Sequence, residues 1–121
     1  MQWSRIVSLC VGMALVGAIG CGGGTDAEHS LPGDPVAGAA IYARICIACH
    51  AADGRGNGGM TGGNFSEPAR LAKTNTLLLS EIRDGLNRGP IAMPSQRAAL
   101  TDQEMKNALS YIRKTFGGTQ H

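Results

Sequence analysis

The sequence predicts an all-α fold, with three or more helices closed around something the polypeptide does not itself provide. Three observations predict it. Helical periodicity with matching start and stop signals recurs in three segments, and no segment shows a strand's period of two. Only 4% of the 121 residues are aromatic while 18 are glycine, so a small chain of this kind cannot bury enough apolar surface alone. Four cysteines, Cys10, Cys21, Cys46 and Cys49, offer a way to supply the missing core. Hydrophobic residues make up 43% and charged residues 17%, which excludes intrinsic disorder. The net charge of +2 excludes the concentrated basic face that nucleic acid would need.

Residues 1–20 read as an export signal: Arg5 is the lone charge, Ile6 to Ile19 is uncharged and mostly apolar, and Ala18 and Gly20 are small. The apolar run is 14 residues, short of the about 20 that a retained membrane anchor requires. Cys21 follows directly, in a stretch that resembles the lipobox of bacterial lipoproteins, with Ala18 where leucine is commonest. That resemblance implies lipidation of Cys21; Ala18-x-Gly20 equally suits cleavage to a soluble exported form. Residues 21–33, glycines followed by polar residues and Pro32-Gly33, read as a flexible tether. The folded domain is residues 34–121, with its helical part ending near Gly117.

Asp34-Pro35 starts the first helix, with Asp34 as cap and proline where no donor is needed. It is expected to run to about Ile45, with Val36, Ala39, Ala40, Ala43 and Ile47 on one face, widened by Tyr42 and Ile45. Six glycines between Gly54 and Gly63 make residues 51–66 a loop. A second helix is expected over Thr76 to Arg88, capped by Asn75 and stopped by Gly89-Pro90, with Leu78, Leu79, Ile82 and Leu86 on one face. The last helix has the strongest signals. Thr101-Asp102-Gln103-Glu104 is a capping box, and Leu100 with Met105 forms a hydrophobic staple. Met105, Ala108, Leu109, Ile112 and Phe116 then follow at helical spacing.

Cys46-Ile47-Ala48-Cys49-His50 is C-x-x-C-H, the attachment signature of c-type haem. Two thiols three positions apart can each add across one vinyl group of the porphyrin, and the adjacent imidazole then reaches the iron. A thioredoxin-like C-x-x-C needs a preceding strand and a βαβ setting. A zinc site needs four ligands, and beyond these three the folded unit offers only His121. A disulfide across two residues would add nothing to the core.

The methionines of the exported chain, Met60, Met93 and Met105, are the candidate second axial ligands. Met105 is the staple residue and reads as core. Met60 lies only ten residues after His50, on a loop held to the same side. Met93 lies in a loop between helices, extended by Pro94 and stiffened by Pro90, and 43 residues of chain let it reach the face opposite His50. His29 and His121, in terminal segments, read as surface residues. Gly54 to Gly59 matches G-x-G-x-x-G, but without a strand before it and a helix after it the match reads as a tight loop beside the haem.

Taken together, residues 34–117 resemble class I cytochromes c, the small monohaem electron carriers, in the order of their parts. The resemblance implies that Gly38 and Tyr42 on the first helix pack against Tyr111 on the last. It departs at Ala51, where many relatives have glycine. It also leaves open the proline whose carbonyl holds the proximal histidine, for which Pro68 is the candidate. What the resemblance implies is a non-enzymatic one-electron carrier with one covalent haem c, bound by Cys46 and Cys49 and ligated by His50 and Met93. The implied partners are redox proteins of an electron-transfer chain, met as a monomer on the periplasmic side of a bacterial membrane. A haem-based gas sensor and an electron-donating subunit of a larger redox enzyme are the alternatives.

Overall fold

The computed structural model describes residues 27–57, 63–88 and 91–118. The export signal, Cys21, Met60, the Gly89-Pro90 stop and His121 lie outside the described residues.

Helix α1 spans Pro35–Ile41. Asp34 caps it, its carboxylate accepting from the Val36 N–H at 2.8 Å. The helix does not stop near Ile45. It widens into one π-helical segment, Tyr42–Cys46, and continues as α2, Ile47–His50. Its buried stripe also differs from the expected one: Gly38, Ile41 and Tyr42 are buried, whereas Val36 is 77% exposed. The reason is Gly38. A Cβ there would lie 1.9 Å from the Asn107 carbonyl oxygen, so this face crosses the last helix nearly backbone to backbone. Burial therefore follows Gly38 rather than the alanines.

A short helix α3, Pro68–Leu71, leads into α4, Asn75–Asp84. The cap of α4 is Thr74, whose side chain accepts from the Leu77 N–H, and not Asn75. α4 also ends four residues before the expected Arg88. Gly85 adopts φ +80°, and a Cβ there would lie 2.5 Å from the Met93 carbonyl oxygen. The chain then turns into a strand, so Leu86 is not on a helix face. β1, Leu86–Arg88, pairs antiparallel with β2, Ile91–Met93, in the register Leu86↔Met93, Asn87↔Ala92, Arg88↔Ile91. The all-α expectation holds for the framework, and this hairpin is its one correction among the described residues. Three-residue strands carry too little pattern to read from sequence.

Helix α5, Asp102–Phe116, bears both capping-box bonds between Thr101 and Glu104. Leu100 and Met105 are buried in one cluster with Ile41 and Ala108, as the staple requires. A second cluster joins Tyr42, Leu71, Leu78, Leu109 and Ile112.

Residues 27–33 are not a free tether. The carbonyls of Ala27 and Ser30 accept from the Asn75 side chain at 3.1 and 2.9 Å. The Asn75 N–H donates to the Glu28 carbonyl, and the Gly33 N–H donates to the fully buried Ser110 hydroxyl. His29 Nε2 lies 3.1 Å from the Ala72 carbonyl oxygen. Asn75 in turn accepts from Arg113 Nε, and the two terminal nitrogens of Arg113 donate to the carbonyls of Leu71 and Lys73. Buried polar side chains thus draw the segment onto the fold. Among the described residues no helix is long and apolar enough to cross a membrane.

Candidate functional site: a haem cleft

Continuing the first helix through His50 puts Cys46 and Cys49 three residues apart on one helical face, with His50 next. Both cysteines are half-buried, and no disulfide joins them. Burial, then the neighbouring Cys49, pushes the Cys46 thiol up to about 11.

The helix ends at Ala51, at φ 61° and ψ 167°. The loop then folds back: the Gly56 N–H donates to the His50 carbonyl, and the Tyr42 hydroxyl donates to the Ala51 carbonyl at 2.7 Å. Gly54 sits at φ +71°, and a Cβ there would lie 2.7 Å from the Phe116 ring. The G-x-G-x-x-G stretch therefore begins, as expected, as a tight loop, packed under the last helix.

His50 Nδ1 lies 3.1 Å from the Gly63 carbonyl oxygen. A carbonyl can only accept, so Nδ1 carries the proton and Nε2 keeps its lone pair. Burial lowers the imidazole from its ordinary value, and nearby Arg70 adds to this, while the Gly63 bond opposes both. The ring is thus a neutral imidazole with its free nitrogen available to a metal. The acceptor is Gly63 and not Pro68; the Pro68 carbonyl accepts from the Ala72 N–H. The ring also stacks on Phe65, centroids 4.4 Å apart at 14°. Phe65 passes the stack to Phe116, which meets Tyr42 and Tyr111; Tyr42 and Tyr111 lie 5.1 Å apart, as the resemblance implied. Sequence reading missed Phe65 and Gly63. Their only signal was an aromatic and a glycine at the end of a glycine-rich loop.

His50 and Cys49 open onto an apolar cleft of about 930 Å³, counting its mouth. A second hollow of about 560 Å³ shares Cys49, His50, Ile82, Met93, Pro94 and Ile112 with it and adds Cys46. β2 delivers Met93 to both hollows, so the fold brings it to Cys49 and to His50, 43 residues before it in sequence, and in the second hollow to Cys46 as well. Met105, 2% exposed, is core. Two thiols at helical spacing, a neutral imidazole and a thioether around one apolar hollow form a donor set that fits haem c. Among the described residues no three or more His, Cys, Asp and Glu side chains converge as a metal site.

This helical frame with its C-x-x-C-H cleft defines a cytochrome c domain. Residues 33–112 match the family described as cytochrome c oxidase, cbb3-type, subunit III, and the chain belongs to that family. Its cofactor is one covalently held haem c with its iron. The chain is 34% identical over 104 residues to the cytochrome c subunit of a quinone alcohol dehydrogenase from Gluconobacter oxydans (strain 621H), covering 78% of this chain and 21% of that protein. It thus spans about a fifth of that relative's length. Its fold is similar to the crystal structure of cytochrome cL from Methylophaga aminisulfidivorans MPT, with a TM-score of 0.55 and 21% identity, over 76% of this chain and 58% of that one.

Proposed function

We propose that this chain is a one-electron carrier in which Cys46 and Cys49 would hold the haem and His50 and Met93 would ligate its iron. The haem supplies an iron that changes oxidation state by one electron. The chain's own residues do the rest. Cys46 and Cys49, as thioethers, keep the group from leaving a shallow domain. Gly63 fixes the His50 tautomer, leaving Nε2 free to bind the iron. Met93, which lines the same cleft, would supply the second ligand to the iron, and a thioether ligand raises the potential. Leu71, Leu78, Leu109 and Ile112 exclude water from the group, which keeps reorganisation small. The observation that carries this reading is the presence of Met93 and His50 around the same cleft.

The chain itself then performs no catalysis and meets redox proteins as partners. Similarity to a dehydrogenase's cytochrome subunit favours a second form of the same reading, in which the partner is an enzyme it stays bound to. Export with acylation of Cys21 would place it on the periplasmic face of a membrane, lipid-anchored as a monomer; mass spectrometry of the membrane fraction for an acylated peptide beginning at Cys21 tests this. For the site, the oxidised holoprotein is expected to show the weak near-infrared methionine–iron band. The band disappears in Met93→Ala and survives in Met60→Ala. Ready binding of carbon monoxide to the reduced wild-type protein would instead point to a gas sensor.

A further inference from the structure

Five of the six described ion pairs have at least one partner well exposed; Arg44–Glu104 and Arg97–Asp84 are examples. Lys73–Glu81 does not. Its side chains are 24% and 12% exposed, 2.5 Å apart, and both line the haem cleft. The same Glu81 oxygen lies 3.8 Å from Arg88, which also lines the cleft, as does Arg70. Glu81 is the single acid among the described lining residues, set against three cations.

A fastening role does not account for the pair. The turn that carries Lys73 is already held from its other side by Arg113, through Leu71, Lys73 and Asn75. An ion pair out of water contributes little net stability, because desolvation offsets its attraction. What such a pair does provide is field. Charges against an apolar cavity are poorly screened and act over longer distances than surface charges.

We propose that Glu81 and Lys73 set the redox potential of this domain by opposing electrostatic effects. This rests on the reading that haem occupies the cleft. The oxidised form carries one more positive charge than the reduced form. The Glu81 carboxylate therefore favours the oxidised form, and the Lys73 ammonium, with Arg88 and Arg70, favours the reduced one. The carboxylates of the haem itself are the same in every variant and cancel in comparison.

The test is an optical redox titration of the holoprotein, wild type against Glu81→Gln, Lys73→Gln, Arg88→Gln and Asp84→Asn. Glu81→Gln is expected to raise the reduced-to-oxidised ratio at fixed potential by about tenfold, which is 59 mV for one electron. Lys73→Gln lowers it several-fold, and Arg88→Gln, at an exposed position, shifts it in that same direction should Lys73→Gln be poorly made. Asp84→Asn, outside the cleft and paired with Arg97, changes it less than twofold. Glu81 and Lys73 variants shifting the same way, as loosened packing would cause, overturn the proposal; so does a Glu81→Gln shift no larger than that of Asp84→Asn. A normal methionine–iron band in these proteins keeps the carrier reading intact in that event. Its absence from the wild type would sink the carrier reading instead.

Discussion

Ala51→Gly is expected to stabilise the domain. Ala51 ends the haem-binding helix at φ 61° and ψ 167°, a region that glycine enters freely and that costs a residue with a Cβ about 1–3 kcal/mol. The surroundings impose it. The Ala51 N–H still donates to the Ile47 carbonyl at 2.9 Å, and its own carbonyl accepts from Tyr42 at 2.7 Å and from the Gly54 N–H at 3.3 Å. All three bonds are backbone groups at residue 51, so glycine keeps them. Against the relief stands the added freedom of glycine in the unfolded chain, about 0.4–1 kcal/mol. The net gain is about 1 kcal/mol, or about 4–8 °C in Tm for a domain of this size. Thermal unfolding of the holoprotein, followed at once by far-ultraviolet circular dichroism and haem absorbance, measures it; the two transitions should coincide. Ala51→Val should move Tm the other way, since a β-branched residue fits this backbone worse. A Tm for Ala51→Gly equal to or below wild type would show that residue 51 bears no strain. The departure from the glycine common in similar proteins would then need another explanation.

Two further outcomes test the frame around the cleft. Gly38→Ala places a methyl 1.9 Å from the Asn107 carbonyl oxygen, so α1 and α5 must separate; a loss of about 1–3 kcal/mol in denaturant unfolding is expected, with a lower yield of haem-loaded protein. Arg113→Met strips donors from Leu71, Lys73 and Asn75 together and should cost about 2–4 kcal/mol, measured the same way. Arg113→Lys should recover only part of that, because one ammonium cannot span the three acceptors.

Much of the frame was legible before any tertiary contact was known, because the information was local. Caps at Asp34 and at Thr101 with Glu104 act within three residues. The buried stripe Met105, Ala108, Leu109, Ile112 of α5 follows from helical period alone. The C-x-x-C-H motif declares its chemistry by spacing, and the packing of Gly38, Tyr42 and Tyr111 was implied by family resemblance. The stop of α4 was also written locally, in Gly85, but Leu86 continued the apolar pattern and concealed it.

By itself, then, the sequence determined the helical frame and the haem-binding chemistry, since caps, periods and motif spacing are properties of a few neighbouring residues. Tertiary structure alone decided the acceptor for His50, the docking of residues 27–33 and the placing of the Glu81 carboxylate in the cleft wall. Each of those is a choice among several equivalent local partners. Gly63 rather than Pro68 holds His50 because the fold of the loop brings its carbonyl within 3.1 Å of the ring, and Asn75 serves residues 27–33 because Arg113, 38 positions away, holds its other side.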